Sequence, residues 1–278
     1  MVDITASLVK QLRDATNVSM MECKRALQET EGDLDKATTL LREKGMAVAA
    51  KRAAKAANQG IIAATSADEG KTLAMAEVNC ETDFVARNSD FKAFVEQVAE
   101  AALGTDDALS EVMHDTLIEK IASIGENIKI RRNVRYSLQG TGKVASYIHM
   151  GGKVGVLIEV ACGKDETVAS PAFDELVRDL TLHVAATAPA CLTSDDVPED
   201  DIAAERAIFA KQVEGKPENI ISTIVDGKIR KYFAEICLVE QGFVKEPKTS
   251  ITELLAEKGK ELGDELTIKR FVRYQLGQ

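Results

Sequence analysis

Apolar residues in segment 4–45 recur at helical spacing in three short runs. Ile4, Leu8 and Leu12, with Val9 beside them, fall on one face. Asn17 and Ser19 interrupt that run, and Ser19 suits the N-cap of a second helix carrying Met20, Cys23 and Leu27. Gly32-Asp33 marks the next turn. Leu34, Ala37, Leu40 and Leu41 then repeat until Gly45, which is expected to end the third helix. So short a segment makes only a marginal core, so residues 1–45 read as a docking module and not as a free-standing enzyme. Met20-Met21 followed by Lys24 suits a contact face, because methionine adapts to partner surfaces; use of one Met in the small core is an equal alternative. Residues 46–58 are Ala-rich with Lys51, Arg52 and Lys55, the pattern of a solvated basic helical linker.

Beyond residue 59 the pattern repeats itself. At an offset of 82, Gly60 meets Gly142, Gly70-Lys71 meets Gly152-Lys153, Glu77-Val78-x-Cys80 meets Glu159-Val160-x-Cys162, and Phe91 meets Phe173. At an offset of 138, Ile130-x-Arg132-x-Val134-Arg135-Tyr136-x-Leu138 meets Ile268-x-Arg270-x-Val272-Arg273-Tyr274-x-Leu276. The offsets differ by 56 residues, which sizes an insertion in the second copy between about residues 186 and 245. Each copy reads strand, turn, strand, helix, helix, strand. Residues 144–148 and 154–162 flank Gly151-Gly152 as a hairpin, and helices are expected at about 89–103 and 108–124. In the last strand of copy one, Ile128, Ile130, Val134, Tyr136 and Leu138 alternate with Lys129, Arg131, Asn133, Arg135 and Ser137, whose basic side reads as a solvated, salt-bridged face. The fold class is therefore α+β: a three-helix head, a core subdomain at 59–140 and a second at 141–278, each with a small antiparallel sheet. The second is interrupted at about 190–242 by an antiparallel helical hairpin. Ile202, Phe209 and Val213 on one arm face Ile221, Ile224, Val225, Ile229, Tyr232 and Ile236 on the other, around a turn at Gly215-Lys216-Pro217. Surplus apolar surface on such a hairpin suits a partner or a second copy of the chain.

The chain has 278 residues and a formal charge of −10, too acidic for a surface that grips naked nucleic acid throughout. The charge is uneven: residues 1–58 hold 10 basic and 8 acidic side chains, so the remainder carries −12. Tryptophan is absent and aromatic residues make up 4%, which disfavours base-stacking platforms. No apolar run is long enough to span a bilayer, and residues 1–4 lack the layout of a signal peptide. Five scattered cysteines without a Cys-x-x-Cys fit free thiols in a reducing cytoplasm. No phosphate loop, dinucleotide fingerprint, carboxylate pair or metal-ligand cluster stands out, and nothing calls for a cofactor. Cys80 and Cys162 occupy equivalent late-strand positions, better suited to buried small residues than to twin nucleophiles. Lys51, Arg52, Lys55 and the basic strand faces motivate a nucleic-acid adaptor as the weaker reading. The residues give no sign of an enzyme.

The copies differ where function can be grafted. Copy one reads Cys80-Glu81-Thr82-Asp83-Phe84-Val85-Ala86-Arg87-Asn88, copy two Cys162-Gly163-Lys164-Asp165-Glu166-Thr167-Val168-Ala169-Ser170. The fold alone does not demand an aromatic at Phe84, although a Phe near a strand end is often core, and from the residues both readings stand.

The segment from Asn79 to Arg87 resembles the signature of bacterial elongation factor Ts. Leu8-Val9-Lys10, Met20-Met21-x-Cys23-Lys24-x-Ala26-Leu27 and Gly32-Asp33 in the head, Ile124-Gly125-Glu126-Asn127-Ile128, and Ser146-Tyr147-x-His149 are similar too. The resemblance implies a ubiquitin-associated-like head, a duplicated core and a helical dimerisation hairpin. It also implies a cytoplasmic guanine nucleotide exchange factor that binds elongation factor Tu in its GDP form. Asp83 and Phe84, within Thr82-Asp83-Phe84-Val85, would insert between helices of that GTPase, displace support for its Mg²⁺ and phosphate loop, and promote exchange of GDP for GTP. Met20, Met21 and Lys24 would dock the head, and Ile124, Gly125 and His149 would support the core contact. A homodimer through the hairpin is implied; direct nucleic-acid or membrane binding is not.

Overall fold

The computed structural model describes residues 4–16, 18–215 and 217–278. Readings that rest on residues 1–3, on Asn17 or on Lys216 lie outside the described residues. Helices α1 (Ala6–Thr16), α2 (Met20–Glu29) and α3 (Leu34–Arg52) form the head. Val9, Leu12, Cys23, Ala26, Leu27, Ala37 and Leu41 close its small core. The Ser19 hydroxyl accepts from the Glu22 amide to start α2, and the Asp33 carboxylate accepts from the Lys36 amide to start α3. Met20 and Met21 are both exposed, so neither fills the core; Cys23, Ala26 and Leu27 take the inward positions of α2.

Copy one follows as β1 (Gln59–Ala67), β2 (Thr72–Cys80), α4 (Asp83–Arg87), α5 (Ser89–Ala101), α6 (Leu109–Val112), α7 (His114–Ile124) and β3 (Lys129–Ser137). Copy two runs β4 (Gly142–His149), β5 (Val154–Ala161), α8 (Asp165–Val168) and α9 (Pro171–Thr187). The insertion supplies α10 (Glu199–Lys211) and α11 (Glu218–Ile236), then a short ribbon of β6 (Gly242–Phe243) and β7 (Glu246–Ser250), before α12 (Ile251–Leu262) and β8 (Thr267–Gln275) complete the copy. The sheets are antiparallel with matching orders, β1-β2-β3 and β4-β5-β8. Their registers also match: Gly60 faces Asn79 as Gly142 faces Ala161, and each sheet slips by one residue, at Glu77/Val78 and at Glu159/Val160. This is the α+β class, with small antiparallel sheets among helices.

Each sheet packs its outer face on its own helices, around Phe91 and Phe94 in copy one and Phe173 and Leu180 in copy two. The inner faces pack on each other through Ile62, Leu73, Met75, Tyr136, Val144, Leu157 and Tyr274. Gly155 permits the approach: a Cβ there would lie 2.5 Å from the Met75 sulfur and 2.5 Å from an Ile62 methyl.

The register slip corrects the expected alternation of β3. Ile130 faces the helices, but the extra residue at Arg131 turns Arg132, Val134 and Tyr136 toward the other sheet and Asn133 and Arg135 toward the helices. Of the basic side, Lys129 and Arg131 stay exposed, Arg135 is salt-bridged as expected, and the slip turns it toward the helices. Arg135 binds the Asp106 carboxylate at 2.6 Å and the Leu103 carbonyl at 3.1 Å. Arg132 donates to buried Glu77 at 2.8 Å and to the Gln275 carbonyl of the other copy at 3.1 Å, with its guanidinium 4.0 Å from the Tyr274 ring centroid. Arg270 does the same in reverse, to Glu159 at 2.6 Å, the Ser137 carbonyl at 3.0 Å and the Tyr136 ring at 4.1 Å. The second oxygen of each carboxylate accepts a backbone amide from the opposite copy, Gly277 for Glu77 (2.9 Å) and Gln139 for Glu159 (3.0 Å).

Helix α3 continues past Gly45 to Arg52, because Gly45 is where it crosses α7; a Cβ there would meet the Ala122 Cβ at 3.2 Å. Residues 46–52 are thus the last turns of α3, largely exposed, with Ala49 packed on the core of copy one. The expected helix over 108–124 breaks at Met113 into α6 and α7. Where the insertion rejoins copy two, Gln241 is a buried hub. Its amide donates to the Glu235 carbonyl at 2.7 Å, while its carbonyl oxygen meets the Thr187 hydroxyl at 2.8 Å and His183 Nε2 at 3.0 Å. His183 Nδ1 accepts from the Val244 amide at 3.2 Å, so the imidazole is neutral with its proton on Nε2.

Replacing Arg132 by Ala leaves the buried Glu77 carboxylate with only Arg131, at 4.0 Å, as a cation, and urea unfolding should show a loss of about 3 kcal/mol. Burial pushes the His183 pKa down, partly offset by its bond to Gln241. The unfolded chain therefore takes up a proton near pH 6.5 that the folded chain refuses, and stability falls as pH drops below that value. A His183→Asn variant should show a shallower fall in Tm over about pH 6.5 to 5.

Candidate functional site

The β2–α4 loop carries the most exposed large apolar side chain among the described residues, Phe84, which is 80% exposed. It does not plug its own subdomain. Val85 and Ala86 do that, packed on the core of copy one, while the Thr82 hydroxyl caps α4 by accepting from the Val85 amide at 3.3 Å. Asp83 opens the helix and pairs with Arg87 one turn on, at 2.9 Å. Copy two builds the same short helix, α8, but an exposed Glu166 stands at the position of Phe84. On equivalent backbone, one copy shows water a carboxylate and the other a bare aromatic ring.

Two carboxylates hold this knuckle still. Glu126 accepts the Glu81 amide at 3.1 Å, the Thr82 amide at 3.0 Å and the Thr82 hydroxyl at 2.7 Å. Glu81 reaches back to accept the Asn127 amide at 2.7 Å and takes Arg52, the last residue of α3, at 3.1 Å. The Asn127 amide and the Arg52 guanidinium hold the Glu81 carboxyl below the usual carboxylate range. The Asn127 side chain also donates to the Lys55 carbonyl at 2.6 Å, which ties the end of the head to the root of the knuckle. Copy two repeats the clasp with Asp264, which accepts the Gly163 and Lys164 amides and the Thr167 hydroxyl.

Gln59, Glu81, Thr82, Asp83, Phe84, Arg87 and Lys153 line a shallow hollow beside the ring. Lys153 comes from the β4–β5 turn of copy two and donates to Gln59 at 3.3 Å, so the turn that carries His149 abuts the knuckle. That turn is pinned by the Ile62 amide, which donates to the Gly152 carbonyl at 2.8 Å. His149 is exposed and hydrogen-bonded to the Tyr147 hydroxyl at 2.8 Å. Next to it Met150 is 72% exposed, at a φ of 50° that non-glycine residues seldom adopt. Ile124 is half-buried against the core of copy one, and Gly125 ends α7 at φ 80°, which places Glu126 for its clasp. Met20, Met21 and Lys24 lie on the exposed side of α2, whose packing partners are α1 and α3.

Sequence reasoning passed over Glu81, Glu126, Gln59, Lys153 and Met150 as parts of this site. The signal for Glu126 was present, since it meets Asp264 at the offset of 138 and both are acidic.

A family model described as Elongation factor TS matches residues 81–278. The chain is 41% identical over 277 residues to elongation factor Ts of Nitratidesulfovibrio vulgaris (strain DP4), covering 99% of this chain and 96% of that relative. It is 42% identical over 288 residues to elongation factor Ts of Clostridium botulinum (strain Alaska E43 / Type E3), covering 99% and 93%. For elongation factor Ts of Desulfovibrio desulfuricans (strain ATCC 27774 / DSM 6949 / MB) the identity is 41% over 283 residues, covering 99% of each chain. The chain belongs to the elongation factor Ts family. It is thereby a translation elongation factor, of the protein-synthesis machinery.

The cysteines of this family member are buried or locally bonded in both copies of the core. Burial, with the nearby Glu126 charge, pushes the Cys80 thiol up to about 12, and burial raises Cys162 as well. Each thiol donates to a carbonyl two residues on, Thr82 and Lys164, so neither is a poised nucleophile. Arg52, Arg132, Arg135 and Arg270 are engaged in internal pairs. Among the described residues no group of three or more His, Cys, Asp or Glu is placed to hold a metal ion, and no helix is long and apolar enough to cross a membrane.

Glu126→Ala leaves the Glu81 and Thr82 amides without their acceptor. Native-state hydrogen exchange at those two positions should quicken by roughly ten-fold or more, while β2 amides keep their protection.

Proposed function

We propose that the chain is the guanine nucleotide exchange factor for elongation factor Tu in the cytoplasm, with Asp83 and Phe84 as the elements that couple binding to nucleotide release. The observation that carries this reading is Phe84 itself, an exposed ring on a knuckle held at its root by Glu126. An aromatic held in water by a rigid loop gains about 1.5–3 kcal/mol when a partner covers it. That matches the coupling of about 1–3 kcal/mol typical between two ligands of one protein. Inserted between helices of the GTPase domain, the ring displaces groups that support the Mg²⁺ site and the phosphate loop. GDP is held mainly by phosphate-loop amides and Mg²⁺ contacts, so loosening either hastens its release, and GTP then completes exchange by mass action. The chain makes and breaks no covalent bond in this reading.

Rigidity of the knuckle matters because a floppy loop would yield before the GTPase does. Affinity comes from elsewhere: Met20, Met21 and Lys24 on α2, and on the core Ile124, Gly125 and His149. Thr82 and Val85 hold the wedge in place, by capping and by packing respectively. The hairpin buries Val225 and Ile229 within itself and leaves Ile208 and Ile220 outward, and these are the side chains a second copy would meet in a homodimer.

The test is release of fluorescent GDP from elongation factor Tu. Wild-type protein should accelerate release, and Phe84→Ala should cut that acceleration by roughly ten- to hundred-fold with an unchanged Tm, since the ring is outside the core. Undiminished acceleration by Phe84→Ala removes the wedge.

A further inference from the structure

The five cysteines fall into two kinds. Cys23, Cys80 and Cys162 each lie alone in a different apolar cluster, bonded to local carbonyls or a hydroxyl. Cys191 and Cys237 lie together, with their sulfur atoms 3.4 Å apart. They sit at the two feet of the inserted hairpin, 46 positions apart in sequence, where the chain leaves copy two and returns to it. Backbone bonds fix the two feet side by side. Leu238 N donates to the Cys191 carbonyl at 2.9 Å, Ala190 N donates to the Ile236 carbonyl at 2.8 Å, and the two cysteines form a parallel bridge pair. Bridge-paired residues have Cα atoms about 4.8 Å apart. That is inside the window of roughly 4.4–6.8 Å that a disulfide tolerates, and the sulfurs need to close by only about 1.4 Å.

The pair is also asymmetric in access. Cys237 is buried, whereas Cys191 is partly exposed and lines an open hollow with Pro189, Asp196, Lys269, Arg270 and Arg273. A small oxidant can reach one sulfur and not the other.

We infer that Cys191 and Cys237 are a reversible oxidation site, in which a peroxide converts the two thiols into a disulfide that closes the base of the hairpin. The Cys191 sulfur attacks one peroxide oxygen and the O–O bond breaks. The departing hydroxide takes the thiol proton and leaves as water, so Cys191 becomes a sulfenic acid. The Cys237 sulfur then attacks the Cys191 sulfur, the S–O bond breaks, and the hydroxyl leaves with the Cys237 proton as a second water. Two electrons pass from the thiol pair to the peroxide. A thiol reductant reverses the bond by exchange at the more exposed sulfur, Cys191. Burial and the neighbouring Cys191 push the Cys237 thiol up to about 12, which keeps it a slow partner until the sulfenic acid forms beside it. The cross-link removes freedom from the opened hairpin and not from the packed one, so it should suppress local opening of residues 199–236.

The test treats the full chain with hydrogen peroxide, blocks remaining thiols under denaturing conditions, and maps the peptides by mass spectrometry. The free-thiol count should fall from five to three, with a Cys191–Cys237 linked peptide two hydrogens lighter than its parts and Cys23, Cys80 and Cys162 still reduced. Dithiothreitol should restore all five. Cys191→Ser should keep Cys237 reduced, and Cys237→Ser should leave a Cys191 sulfenic acid that dimedone traps. Trypsin should cut the hairpin more slowly in the oxidised protein. The inference is overturned if both thiols stay reduced while peroxide oxidises exposed methionines. It is equally overturned if Cys191 proceeds to sulfinic acid unlinked, or links only to Cys191 of a second chain.

Discussion

Glu77 and Glu159 face each other's sheets with almost no exposure to solvent, and a carboxylate in that setting is tolerable only when its oxygens are met. Each is met in the same way: an Arg of its own sheet on one oxygen and a backbone amide of the opposite copy on the other. Each Arg then reaches across, to a carbonyl and a Tyr ring of the opposite copy. The apolar contact between the sheets supplies most of the area, but it is non-directional. The charged contacts are directional and reciprocal, and they fix how one copy sits on the other. That alignment places the β4–β5 turn of copy two, with Lys153 and His149, against the Phe84 knuckle of copy one.

A second level of positioning rests on the same economy of carboxylates. Glu126 and Asp264 hold equivalent loops in the two copies, yet only the first carries an aromatic ring. The scaffold is duplicated and the exposed ring is not. Arg52 and Lys55 extend the tie to the head, so the head helices, the knuckle and the β4–β5 turn form one connected frame. The proposed wedge would need such a frame, because strain goes to whichever side is softer.

Much of this was legible in the residues. The offsets of 82 and 138 located both sheets and the insertion, because strand pairing and helix burial tolerate few changes of type at matched positions. Other features were not legible. One extra residue at Arg131 reverses the facing of half a strand without altering its even-odd pattern, and only the partner register shows it. Gly45 looks like a helix terminator, but a Gly inside a helix also marks a close crossing, and here α7 is the neighbour. Phe84 was undecidable because a Phe near a strand end is often core, which offset the hint from Glu166 at the matching position that the site is wet.

The central claim is that Phe84 supplies coupling while the head and the rest of the core supply affinity. Titration calorimetry of wild-type and Phe84→Ala protein against GDP-loaded and nucleotide-free elongation factor Tu separates the two. The account predicts that Phe84→Ala still binds the GDP-loaded form, while the ratio of its affinities for the two forms shrinks by about ten-fold or more relative to wild type. An unchanged ratio, with both affinities weakened equally, would show that the ring is only another contact and would contradict the account.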